Sequence, residues 1–143
     1  MSIAFTHGGF THGARVLVVC GAMVALAGCQ EPRTASQGAS GVSATYSGRA
    51  LSSDLPMVAR VPAILSAAET ALRRRGWSVE RRDETEDRGT LIARAPRSSD
   101  LEKMRVEARV IGSGAKVTLV CEPFGDEVVS RAVLDEVLRN LGM

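Results

Sequence analysis

Residues 103 to 122, KMRVEARVIGSGAKVTLVCE, constrain the fold more than any other stretch. Met104, Val106, Ala108 and Val110 alternate with Arg105, Glu107 and Arg109, the period of a strand with one apolar and one wet face. Val117, Leu119 and Cys121 resume the alternation after GSGA, whose glycines reach the positive φ that a tight hairpin needs. WSVERRD and TLIARAP, separated by the polar loop ETEDRG, repeat the pattern upstream. The four segments are predicted to be consecutive antiparallel strands.

A sheet that is apolar on one side needs a second layer, and two amphipathic helices supply it. Val61, Ile64, Leu65, Ala68, Ala71 and Leu72 recur at the spacing of one helical face, predicting a helix over 61–75. Pro62 fits its first turn, Gly76 supplies a left-handed stop, and Arg73, Arg74 and Arg75 suit the negative end of the helix dipole. At the other end of the chain, FGDEVVSRAVLDEVLRNLG predicts a helix capped by Asp126, with Glu127 at its positive end. Ala132 or Val133, with Leu134, Val137, Leu138 and Leu141, forms its apolar stripe. Before the first helix, LPMVAR reads as a short strand; the alternative is a helix that starts at Asp54 and kinks at Pro62. The expected fold is α+β, a two-layer sandwich with a mainly antiparallel sheet of four to five strands and two helices on one face. Its order is β-α-β-β-β-β-α within residues 54–143, and Arg105, Glu107, Arg109 and Thr118 face water or a partner.

Upstream, QEPRTASQGASGVSATYSGRALSS shows no sustained apolar period, so 29–53 is predicted to be a lipidated N-terminus and flexible tether. A Gly/Ser-rich chain of that length reaches about 25 to 30 Å. The stretch Val16 to Leu26 is nearly all apolar, follows Arg15, and runs into Ala27 and Gly28, the layout of a secretory signal over 1–28. From Val16 to Gly28 there are 13 residues, short of the roughly 20 that cross a bilayer. Leu26, Ala27, Gly28 and Cys29 resemble the lipobox of bacterial lipoproteins, in which small residues admit the signal peptidase and the cysteine thiol takes the lipid. The alternatives are an ordinary signal peptide cut nearby or an uncleaved anchor. Acylation of Cys29, palmitate included, holds a small domain at a membrane without a spanning helix. Gln30 after the cysteine points to the outer membrane in a two-membrane bacterium, with the domain on the periplasmic face.

Removal of 1–28 leaves 115 of the 143 residues and discards both histidines, His7 and His12. A serine–histidine or cysteine–histidine nucleophile pair and the common zinc sites then lack their imidazole. No catalytic residue, metal ligand or cofactor is expected. Cys20 goes with the signal and Cys29 with the lipid, so Cys121 remains as a lone thiol, read as a small buried hydrophobe rather than a redox group. The remaining 17 basic and 16 acidic residues nearly balance, which together with export argues against a nucleic-acid partner. Arg73, Arg74 and Arg75 with Arg81 and Arg82 are the one local basic excess, read either as a solvated helix end or as a contact for anionic lipid.

With these pieces in place, the chain resembles the family of short bacterial lipoproteins catalogued as domain of unknown function 3568. The shared features are the lipobox at Leu26 to Cys29, the helix ending in glycine at Ala68 to Gly76, the GTLIARA strand at Gly89 to Ala95, and the segment Phe124 to Val137. That resemblance implies the fold and an envelope location, and no reaction.

Asp126 and Glu127 are the candidate acid and base of a hydrolase or ligand-processing enzyme. The structural reading accounts for the same residues with Phe124 plugging the core, Gly125 turning and Asp126 capping. The acidic loop from Asp83 to Asp87 is read as solvated rather than as a calcium site. The leading expectation is a non-catalytic, membrane-tethered lipoprotein, an envelope accessory or interaction module with an envelope protein partner; a module binding anionic lipid is the third reading.

Overall fold

A computed structural model describes residues 31–56, 59–97 and 99–143. The elements follow in the order β1 Arg33–Gln37, β2 Val42–Ser47, β3 Ala50–Leu55, α1 Val61–Arg74, β4 Ser78–Glu84, β5 Arg88–Arg94, β6 Lys103–Ile111, β7 Gly114–Glu122 and α2 Glu127–Asn140. One seven-stranded sheet results, in the spatial order β1-β2-β3-β7-β6-β5-β4, with every neighbouring pair antiparallel. The α+β class and the antiparallel sheet agree with the sequence reading, but four to five strands falls short by at least two.

The missing strands lie where a flexible tether was expected. Ala44 and Tyr46 on β2 and Leu51 and Leu55 on β3 are buried at period two, and this alternation holds β1 to β3 on the sheet. Small and hydroxyl-bearing residues sit between them, which hides the period from a hydropathy reading. Ser47 opposite Ala50 leaves a two-residue hairpin, with Gly48 at φ 55° and Arg49 at φ 76°. Left-handed backbone at both positions matches the twist of the flanking strands.

The expected strand LPMVAR is also displaced. Leu55 closes β3 and Val61 opens α1, so the alternative helix from Asp54 is excluded as well; residues 57 and 58 lie outside the described residues. Proline enters the first turn of α1, and at the far end Trp77 N donates to Leu72 O at 3.0 Å across Gly76, which lies at φ 79°. That wrap ends the helix as the glycine predicted.

Leu51, Leu119, Val106 and Leu91 stand side by side in one register row across four strands, each fully buried. Helix α1 covers β4 to β6 and α2 covers β1, β3 and β7, and the two helices touch each other. Ile64, Leu65, Leu72, Leu134 and Leu138 close the core from the helix side. Arg75 Nε donates to Glu136 Oε2 at 3.1 Å, and Asn140 Nδ2 donates to Ala67 O at 3.2 Å, tying the helices together. The opposite face of the sheet carries no layer among the described residues.

Candidate functional site

The uncovered face holds a depression of about 550 Å³, lined by residues of β4 to β7 and the β4–β5 turn. Its composition follows from strand alternation. Val106, Ala108, Val117 and Leu119 point inward, so Glu107, Arg109, Lys116 and Thr118 point out. Register then sorts them: Thr118 opposes Glu107, which opposes Thr90, while Lys116 opposes Arg109, which opposes Arg88. Three cations thus stand abreast on three adjacent strands, an arrangement that like-charge repulsion makes unfavourable.

Elsewhere on this face, charges are matched. Arg105 Nη1 lies 3.6 Å from Glu107 Oε1 and its Nη2 3.4 Å from Glu122 Oε1. Glu80 takes Arg94 at 2.6 Å and Lys103 at 3.5 Å. Arg81 pairs with Asp83, and on the helix side of the same strand Arg82 Nη2 pairs with Glu84 Oε2 at 2.7 Å. Every carboxylate lining the depression, Asp83, Glu84 and Glu107, is therefore engaged by an arginine outside it. Among the described residues, Arg88, Arg109 and Lys116 have no carboxylate within 4.0 Å, although Asp54 opposes Lys116 in the register. Of the trio, only Arg109 is expected from sequence to face outward, and nothing local groups it with Arg88 and Lys116. The signal that identifies the row is register, which brings together residues 21 and 7 positions apart in the chain.

The predicted carboxylate pair has a structural use. Asp126 Oδ1 accepts from Val129 N at 2.8 Å and caps α2. Glu127 Oε1 accepts from Arg131 Nε at 2.9 Å, and its Oε2 lies 3.4 Å from Arg33 Nη1. Gly125 makes the expected turn at φ 79°. Phe124 does not plug the core: it is 79% exposed, in the turn that Gly125 makes at φ 79° before α2 begins. Val128, in the first turn of α2, is 78% exposed beside it. Cys121 is 1% exposed with Sγ 3.3 Å from Ser130 Oγ, and burial pushes its thiol above the ordinary value.

The arginine cluster is shared among acids. Glu69 takes Arg73 at 2.8 Å and Arg82 at 2.9 Å, while Glu136 takes Arg74 at 3.7 Å and Arg75 at 3.1 Å. Four of the five candidate lipid contacts are therefore stitched to α1, α2 or β4, and Arg81 is paired along its own strand. No group of three or more histidine, cysteine, aspartate or glutamate residues suited to a metal ion occurs among the described residues. No helix of the described residues is long and apolar enough to cross a membrane. Leu26, Ala27, Gly28 and Cys29 lie outside the described residues. A scan against protein-family models and a search of curated proteins found no match to this chain.

Proposed function

We propose that this chain is a membrane-tethered lipoprotein of the cell envelope, acylated on Cys29, whose folded domain is a non-catalytic accessory or interaction module on the periplasmic face. The observation that carries the reading is the placement of Leu26-Ala27-Gly28-Cys29 after an apolar run and four residues ahead of the first strand at Arg33. The resemblance to the domain of unknown function 3568 lipoproteins supports the same location, and Gln30 favours the outer membrane.

Four residues span at most about 14 Å when fully extended. The domain therefore sits directly on the bilayer rather than at the end of a long tether. Arg33 marks where the chain enters the sheet, and its contact with Glu127 puts the exposed Phe124 and Val128 at that same end. Exposed apolar residues beside an acyl anchor suit the interface between headgroups and chains. Asp126 and Glu127, committed to a helix cap and to arginines, favour the non-catalytic reading over a hydrolase.

Metabolic labelling with an alkyne palmitate tests the reading. Wild-type protein should carry the label in the membrane fraction, with a mature N-terminus at Cys29 by mass spectrometry, and Cys29→Ala should lose both. An unprocessed amino terminus, or protein free in the cytosol, would refute the anchor.

A further inference from the structure

We propose that the depression on the uncovered sheet face binds a soluble ligand bearing a multiply charged phosphoryl group, held by Arg88, Arg109 and Lys116. The three side chains share one register row; of the carboxylates lining the depression, Asp83 and Glu84 are paired with arginines outside it and Glu107 lies 3.6 Å from Arg105, while Asp54 continues the row beside Lys116 without coming within 4.0 Å of it. Three positive charges side by side cost the fold stability, and a bound anion removes that repulsion. Guanidinium forks match the tetrahedral edge of a phosphoryl group, and the ammonium adds a point charge.

Thr118 and Thr90 lie two residues along their strands from Lys116 and Arg88, on the same face and roughly 7 Å away. Their hydroxyls are the additional donors that phosphate sites draw upon. A single carboxylate would answer only one of the two arginines, whereas a diphosphate group carries enough charge for all three cations, and Glu107, between Thr90 and Thr118, limits it to the cation side of the depression.

The source of the phosphoryl group follows from position. Leu119 shares the register row of Arg33, where the chain enters the sheet, and Lys116 lies three residues further along β7, roughly 10 Å away. From the β1 edge to β6 is four strand spacings, roughly 19 Å. The site is thus set back from the anchored end, which favours a ligand free of the supporting bilayer. This choice of source rests on the anchor reading; the cation site itself does not.

The test uses the full chain in a neutral detergent, with inorganic pyrophosphate as the probe and titration calorimetry as the readout. Binding of one pyrophosphate is expected, weakening as sodium chloride is raised. The triple variant Arg88→Gln, Arg109→Gln and Lys116→Gln should lose binding at least tenfold while melting no lower than wild type, because the repulsion is gone. A second triple variant, Arg94→Gln, Arg97→Gln and Lys103→Gln, should bind as wild type does. Absence of pyrophosphate binding, or equal binding by the first triple variant, would overturn the proposal. Binding to phosphatidylglycerol vesicles without binding to pyrophosphate would also overturn it. Loss of the acyl anchor in Cys29→Ala should leave pyrophosphate binding intact, so failure of either reading is separable from the other.

Discussion

Gly125 is pressed against Arg49: a Cβ on residue 125 would lie 2.6 Å from the Arg49 Cβ and 2.6 Å from the Tyr46 hydroxyl oxygen, and residue 125 has φ +79°. Arg49 Nη1 donates to Pro123 O at 3.2 Å, so the turn before α2 is seated on the β2–β3 hairpin from both sides. Gly125→Ala should therefore lose stability twice, through left-handed backbone at about 1 to 2 kcal/mol and overpacking at about 1 to 3 kcal/mol. Gly48→Ala, at φ +55° with nothing within 4 Å, should lose only the backbone part. Urea unfolding of the two variants checks the difference; equal losses would show that the hairpin gives way freely.

Glu69 joins α1 to β4 and should leave a mark on acid stability. Hydrogen bonds from Arg82 first and Arg73 second hold its carboxyl below the ordinary value of 4.5, against burial that raises it. A folded value below the unfolded one means that the contribution is fully present above pH 4.5 and is lost as pH falls through the lower folded value. Glu69→Gln should lower stability by about 1 kcal/mol at neutral pH, the size of one or two partly exposed pairs. Melting curves taken from pH 7 downward should show wild type and variant converging below pH 4.5. A gap that persists unchanged into acid would contradict the pairing.

The segments that could be read from sequence are those whose inward residues are large. Met104, Val106, Val117 and Leu119 carry a period that hydropathy detects, and Asp126 and Gly76 mark helix boundaries by their own chemistry. In β1 and β2 the alternation runs through Ala44 and Tyr46 between serines and threonines, and β1 buries only Gln37. A composition typical of linkers therefore conceals three strands, of which β3 pairs with β7, β2 with β3 and β1 with β2. Phe124 failed for the opposite reason. Size alone places a large aromatic beside a helix cap in the core, yet the turn at Gly125 leaves Phe124 79% exposed. The cation row was legible only as separate strand positions, because strand register is set by hairpin lengths and no local pattern contains it.

Cys121 should be chemically silent in the folded protein. Its Sγ is packed against Ser130 Oγ at 3.3 Å, and burial, the largest influence, raises its pKa. The thiolate is the reactive species, so both access and ionisation oppose modification. Ellman's reagent added to a chain from which residues 1–28 have been removed and in which Cys29 is replaced by alanine, leaving Cys121 as its one thiol, should release less than a tenth of one equivalent in native buffer and one equivalent in denaturant. Rapid labelling of the native protein would show that the β7–α2 packing opens readily.

Phe124 provides the sharpest contrast between fold and surface. At 79% exposure it contributes little to the core, so Phe124→Ser should alter unfolding free energy by no more than about 0.5 kcal/mol. Leu119→Ala, at a fully buried position in the central row, should cost about 2 to 5 kcal/mol. The same exposed ring should respond to a membrane if the domain stands on its anchor. A tryptophan introduced by Phe124→Trp in a Trp77→Phe background should be quenched when the acylated protein is placed in vesicles of brominated lipid. Trp77 in the wild type, 6% exposed beneath the end of α1, should not be quenched. Equal quenching at the two positions would remove the orientation in which β1 and the turn before α2 face the bilayer.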